Sequence, residues 1–345
     1  MAIDDVTLWS EGAYRLTVSD SAGADWLQFV SHARFGAPGA RYRRHRFADE
    51  ATQFAAPLFC SLYHGSSIVG CYVLDRRRLL RAGAEIDGLY RGTLFVDPAH
   101  RGHGLARIVV ERAVLWAVDQ GSLPVLTYGC VERRNAAAQR VLATQGMQRL
   151  GSVGSALKYS HWPRASLPPH AFEDGRSDAI GALLSQTQAG DSLVDAAPAQ
   201  WISAHRNGAV AGCVYHVVSL NLDQPTGGAG RFMQRAMQLF PPARKRFAAE
   251  DFRYVAIRQP VAAGAGAAKL FQDLLDHLLV QHSTHFANVS LDEGDGTASA
   301  RAVRQALGRR CVARRRLLDV LGRWHGTAPF DAAPIDAMQL SAPDL

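Results

Sequence analysis

Leu94-Phe95-Val96-Asp97-Pro98-Ala99-His100-Arg101-Gly102-His103-Gly104-Leu105-Ala106 decides the fold. An apolar strand pattern ends at Asp97-Pro98, a glycine turn follows, and a helical pattern begins at Leu105, with Ile108, Val109, Leu115 and Trp116 on one face. A strand that enters a helix N-terminus through a glycine turn aims several backbone N–H groups at one point. Those groups and the positive end of the helix dipole hold a phosphate or pyrophosphate. Gly102 and Gly104 let the backbone come close to the anion, small Ala106 does the same in the first helical turn, and Arg101 adds a charge-assisted contact. No Gly-Lys-Ser/Thr follows, so this is not a Walker A loop. The third glycine and the acid of the dinucleotide fingerprint are also missing.

Working outward, residues 58–63 and 68–74 read as strands around a turn at His64-Gly65, and 90–96 and 123–131 as further strands. Asn135 opens a second helix as an N-cap type residue, and Gly146 ends it. The proline-bearing stretch 163–175 reads as a linker. The series then starts again: strand signals at 209–220 and 252–257, a Gly/Ala turn at 260–266, a helix, a strand at 286–291 and a last helix at 297–307. Gly104 and Gly266, Ala106 and Ala268, and Gly146 and Gly308 are each 162 residues apart, whereas Gly70-Cys71 and Gly212-Cys213 are 142 apart. Three matches at one offset, at equivalent places in two equivalent runs, argue for an internal duplication. The expected organisation is a first copy at 1–162, a linker at 163–175, a second copy at 176–325 with an insertion near 223–250, and a tail at 326–345. Within the insertion, the Met-bearing stretch 232–240 reads as a surface helix, with a substrate lid or acyl groove as the alternative.

The 345 residues are 48% apolar and 20% charged, which is ordinary globular composition and suits about two domains. No stretch of about 18 apolar residues is present, so no membrane partner is expected. Met1 to Asp5 carries acids where a signal peptide carries Lys or Arg, and the five cysteines lack disulfide or metal spacing. The expectation is a cytoplasmic protein. The net charge of +7 suits anionic ligands. Clusters such as Arg76-Arg77-Arg78 lack interleaved aromatics, which disfavours nucleic acid. His100 and His103 read as turn histidines, and no metal site is expected.

With its flanking elements, the run from Leu94 to Ala106 resembles the GNAT superfamily of N-acetyltransferases. That family carries Arg/Gln-x-x-Gly-x-Gly/Ala after a strand ending Val-Asp-Pro, and an Asn about eleven residues before a Gly, here Asn135 and Gly146. The resemblance is strong over about 55–160 and weaker over 205–320. It implies a mixed α/β (α+β) fold of two tandem GNAT-like domains, each a mixed, mostly antiparallel sheet flanked by helices, with a degenerate second copy. Acetyl-CoA as co-substrate would lie on Phe95, Val96, Arg101, Gly102, His103, Gly104, Leu105, Ala106 and Asn135. The signature strand would bulge and splay from its neighbour, and the pantetheine arm would pair with the freed backbone. An amine of a small-molecule acceptor would attack the thioester directly.

The family's usual base, a Glu on the signature strand, falls near Tyr90, with Glu85 and Asp87 further back; its usual acid, a Tyr, falls at Leu142, and at Arg304 in the second copy. Glu85, Tyr90 and Tyr128 are the catalytic candidates, and Cys130 reads as strand packing before nucleophile. In the second copy Ala263 stands against Arg101 and Thr297 against Asn135. Two alternatives stay open: a longer acyl donor on the same fold, and a catalytically weak acyl-CoA-binding or interaction protein.

Overall fold

The computed structural model describes residues 3, 5–36, 41–81, 84–121, 125–133, 135–160, 163, 171–175, 178–187, 192–195, 200–222, 249–292, 296–308, 316–326 and 337–339. The first half contains β1 (Val6–Glu11), β2 (Tyr14–Ser19), α1 (Ala24–His32), β3 (Tyr42–Arg43), α2 (Phe47–Ala51), β4 (Pro57–His64), β5 (Ser67–Arg81), β6 (Ala84–Val96), α3 (Leu105–Asp119), β7 (Val125–Glu132), α4 (Ala136–Ala143) and β8 (Gln148–Tyr159). The second contains β9 (Phe172–Asp174), α5 (Asp178–Thr187), β10 (Ser192–Asp195), β11 (Trp201–Arg206), β12 (Ala209–Leu222), β13 (Phe252–Ala263), α6 (Ala267–Gln281), β14 (Phe286–Asp292), α7 (Ala298–Leu307), β15 (Arg316–His325) and β16 (Ala337–Gln339). Of the expected insertion, 223–248 lies outside the described residues, and with it the stretch 232–240.

The duplication holds residue by residue around the helices. Gly104 and Gly266 are both left-handed N-caps, at φ +72° and +84°, and each opens a 15-residue helix. Asn135 accepts from the Ala138 amide and Thr297 from the Ala300 amide, both at 3.1 Å, so the two caps also stand 162 residues apart. Each copy also kinks its signature strand at a non-glycine residue of positive φ, Thr93 at +38° and Gln259 at +45°.

The two copies are not side by side with separate sheets. One sheet runs β1-β2-β4-β5-β6-β7-β15-β8-β14-β13-β12-β11-β9. The last strand of each copy has changed places. β15, from the second copy, lies antiparallel between β7 and β8, and β8, from the first, pairs with β14. The expected boundary near 162 is therefore a boundary in sequence, while the sheet crosses it. β9 falls within the expected linker and joins the sheet edge, and β16 falls within the expected tail and pairs with β10.

Alternation along the strands fills both faces of this sheet. On one face of the first half, α3 contributes Leu105, Val109, Val110 and Ala113 to a core with Leu16, Leu62, Leu74 and Leu89. On the other, Trp26 and Val30 of α1 and Phe47 of α2 pack on Phe59, Val73 and Phe95. α6 and α7 cover β11 to β14 in the same manner as α3 covers its strands. At the centre, Leu126, Tyr128, Leu150, Val153, Leu318 and Val320 bring both copies into one cluster.

This exchange should make the halves unfold as one unit. Denaturant unfolding should show one transition, coincident by fluorescence and circular dichroism. Placing a carboxylate in the fully buried centre with Val320→Asp should lower stability by roughly 3 kcal/mol or more. Two separate transitions would show that the halves fold independently.

Candidate functional site

β6 and β7 pair in parallel from Asp87↔Val125 to Tyr90↔Tyr128, where the pairing stops. β6 continues to Val96 and β7 to Glu132, the latter held on its other edge by β15. The strands thus diverge just beyond two facing tyrosines, whose ring centroids are 5.5 Å apart. A register shift between Cys71 and Val73 of β5 accommodates the bulge at Thr93, which leaves local backbone groups outside the ladder. Positive φ is costly for a β-branched residue. Arg44 braces this one by donating to the Thr93 hydroxyl at 2.9 Å. Arg44 is itself held by a buried ion pair with Glu50 and lies over the Phe47 ring.

The turn after β6 is a short helical turn, Pro98–His100, capped by Asp97, whose carboxylate accepts from the Ala99 amide at 2.8 Å. Tyr14 Oη and His100 Nδ1 are 3.0 Å apart, which ties the turn to β2. Gly102 and Gly104 then take φ of +90° and +72°, and a Cβ on either would meet nothing within 4 Å. The cradle is open, and the first-turn amides of α3 have no preceding helical carbonyl to bond. It fits a pyrophosphate.

The sequence-derived candidates divide by place. Arg101, Gly102, His103, Gly104, Leu105 and Ala106 form the turn and first helical residues, with Leu105 buried as an anchor. Arg101 Nε donates to the Val96 carbonyl at 2.8 Å and its guanidinium lies 5.3 Å from the Phe95 ring centre, so this cation is placed between strand and turn. Phe95 and Val96 lie at the diverging end of β6, and Asn135 caps α4, the helix that follows β7. Tyr90 and Tyr128 are buried at the apex of the divergence. Glu85 is not brought there. It lies near the opposite end of β6, exposed and 3.4 Å from Arg78, which at ~3.3 Å per residue is roughly 30 Å from Phe95. Leu142 is half-buried on α4.

Several residues at the site escaped the sequence reading. Asp75 is wholly buried opposite Tyr90, where burial raises its pKa against the opposing pull of Arg77, whose Nε lies 2.6 Å from the carboxylate. Arg91 Nε donates to the Tyr72 hydroxyl at 2.9 Å, and its guanidinium also reaches the side chain of Gln145 beyond α4. Gly92 places no side chain where the strands part. A single sequence offers no signal for these, because each depends on strand register.

Residues 24–147 match the acetyltransferase (GNAT) family. They form a GNAT domain. No curated protein matches the chain. Among solved structures, Saccharomyces cerevisiae N-myristoyltransferase with bound myristoyl-CoA is similar at a TM-score of 0.60 and 9% identity, over 94% of this chain and 86% of that one. A GCN5-related N-acetyltransferase from Kribbella flavida gives 0.48 at 11%, over 90% and 71%, and a tandem GNAT protein from the clavulanic acid biosynthesis pathway 0.47 at 12%, over 91% and 100%.

The GNAT domain and its second copy differ at the site itself. The last pairs before the two bulges are Cys71↔Phe95 and Gly212↔Val261, so Cys71 stands against Gly212 in the structure and not against Cys213. From Phe95 to Gly102 the first copy spends seven residues; from Val261 to Gly264 the second spends three. The Pro98–His100 turn and Arg101 have no counterparts, so Ala263 is the end of a strand and no substitute for Arg101. The second turn is crowded at Gly264, where a Cβ would lie 2.5 Å from the Gly208 carbonyl oxygen, while Gly266 is as open as Gly104. Gly92 of the GNAT domain is matched by Arg258. Its fully buried guanidinium crosses from β13 to Ser290 Oγ of β14 at 2.8 Å and to the Asn288 carbonyl at 3.5 Å. The second divergence is bridged by the protein's own side chain.

Among the described residues no group of three or more His, Cys, Asp or Glu could hold a metal. No described helix is long and apolar enough to cross a membrane. Burial pushes the Cys60 thiol up to about 12 and also raises Cys71 and Cys213. At pH 8 only about one in ten thousand Cys60 thiols is ionised. Peptide mapping after treatment with iodoacetamide at pH 8 should find Cys60, Cys71 and Cys213 unmodified in the folded protein and modified in urea.

Proposed function

We propose that the chain transfers an acetyl group from acetyl-CoA to an amine of a small-molecule acceptor, using one acyl-CoA site per chain in the GNAT domain. The observation that carries this reading is the contrast between the two divergences. One has Gly92, an open glycine cradle and Arg101; the other has Arg258 across it and a shortened turn.

When bound, acetyl-CoA supplies a thioester whose carbonyl carbon accepts the amine nitrogen. The C–N bond forms, the C–S bond breaks, the amine loses a proton and the CoA sulfur takes one. The residues at 102–106 hold the pyrophosphate with backbone N–H groups. The freed backbone near Phe95 and Val96 pairs with the pantetheine and polarises the thioester carbonyl. Tyr90 and Tyr128 sit where the proton must move, and Glu85 is too distant to take part. Deprotonating the amine is the larger obstacle at neutral pH, since an alkyl ammonium titrates near pH 10. A cytoplasmic setting suits this reaction.

A longer acyl donor is the second reading. The likeness in fold to an N-myristoyltransferase holding myristoyl-CoA favours it.

Calorimetry should give one CoA per chain. Gly104→Val should weaken binding about tenfold or more by blocking close approach to the phosphates, while Gly266→Val should leave it unchanged. Two sites per chain, or unchanged affinity in folded Gly104→Val, would overturn the assignment. With a series of acyl-CoA thioesters and release of free thiol as the readout, kcat/KM should be highest for acetyl and should rise between pH 6 and 9. A maximum at a long chain would select the second reading. Tyr128→Phe and Tyr90→Phe should lower the rate or shift that pH profile, whereas Glu85→Gln should do neither.

A further inference from the structure

α4 is the least embedded helix around the site. None of its described side chains is fully buried, whereas its counterpart α7 buries Ala300, Val303, Ala306 and Leu307. Something other than apolar packing must fix it.

That function falls to β15, the strand given by the second copy. Its Asp319 is nearly buried, with the backbone locked by pairing to Val131 and Ser152 on both sides. The Asp319 carboxylate accepts from Arg133 through Nη2 at 3.0 Å and Nε at 3.2 Å, and from Ser152 Oγ at 3.1 Å; Arg149 Nε lies 3.2 Å away. Its other oxygen lies 3.5 Å from Gln139 Nε2 on α4. Arg133 and Gln139 bracket Asn135, the cap of α4. At the far end of the helix, Arg323 of the same strand donates to the Gln145 carbonyl at 2.8 Å. Gln145 in turn meets Arg91, the first residue of β6 beyond the last β6–β7 pair.

We infer that Asp319 is a positioning residue for the acyl-CoA site of the GNAT domain: supplied by the second copy, it holds Arg133 and Gln139, on either side of the α4 cap, so that Asn135 and the first turn of α4 face the diverging strands. This rests on the acyl-CoA site proposed above. The carboxylate lies between two guanidinium groups, so both its charge and its acceptor geometry matter. Without it, Arg133 and Arg149 repel each other and the start of α4 is free to shift. The second copy, with its own cleft bridged by Arg258, thereby keeps a role in the reaction.

Asp319→Asn, which preserves shape, and Asp319→Ala should each raise KM for acetyl-CoA, and Kd for CoA, by about tenfold. The kcat at saturating acetyl-CoA should stay within about twofold, because the residue touches no reacting atom. Arg133→Ala should act in the same direction, and the double variant should be no worse than the Asp319 variant alone, since Asp319 is what Arg133 holds. Val303→Ala, a core truncation on α7, should lower Tm without moving KM. The inference is overturned if folded Asp319→Asn binds CoA as the wild type does, or if Asp319 and Arg133 variants add. Gly104→Val serves as the reference. If it leaves CoA affinity unchanged, the site assignment fails, and the positioning role fails with it. If Gly104→Val weakens binding while Asp319→Asn does not, only the positioning role fails.

Discussion

The antiparallel pairing of β15 with β7 on one side and β8 on the other is the constraint on which everything else depends. Each copy, taken alone, ends with the edge of β7 or β14 unpaired, a row of backbone donors and acceptors that must be satisfied. Exchanging the final strands satisfies both edges with one central ladder and places Val320 and Leu318 over Tyr128 and Val153. The divergence of β6 from β7 is possible because β7 is held from behind. A strand fixed on one edge can leave its other partner without losing its place in the sheet. The open slot of the GNAT domain is therefore a product of the whole chain.

Duplication gave the molecule two strand divergences, two glycine turns and two capped helices, and the two copies have since parted in a consistent direction. Backbone features persist in both: the bulge at positive φ, the left-handed glycine before α3 and α6, and the side-chain caps at Asn135 and Thr297. These are what the fold itself requires. The longer turn with Pro98–His100 and Arg101, and the glycine at position 92, belong only to the first. Arg258 spans the second divergence to Ser290 and Asn288, and the shortened turn brings Gly264 against the Gly208 carbonyl. A glycine in one copy and an arginine in the other at one register position leave the first divergence without a side chain there and the second crossed by one.

Much of this was legible in the sequence because it is local. A glycine turn between a strand pattern and a helix pattern reads directly, and the 162-residue offset follows from glycines and caps whose conformations have few alternatives. Strand exchange left no such trace, because β15 reads the same wherever it pairs. The wrong match of Ala263 with Arg101 has a similar origin. The offset that aligns the helices changes across the bulge, and only the pairing of β12 with β13 shows where four residues have gone. Buried polar residues such as Asp75, Glu50 and Asp319 look in sequence like surface acids: the first two pair with the nearby Arg77 and Arg44 and are buried by strand and helix packing, and Asp319 meets Arg133 and Ser152 from a distant segment. Glu85 was nominated by its chemistry, and the length of β6 sets it apart from the site.

The place of β15 near the end of the chain also bears on how the protein is made. Synthesis runs from the N-terminus, so β7 is complete roughly 190 residues before its neighbour β15 is available. During that interval the GNAT domain is a sheet with an open seam between β7 and β8, and a seam of that kind invites pairing with other chains. Long-range pairing of this type is slow. The newly made chain must therefore pass through a stage in which the glycine turn and both diverging strands, β6 and β7, have been synthesised while β15, which holds β7 from behind, has not. Its vulnerability to aggregation, and its dependence on chaperones, should be greatest during that stage of translation.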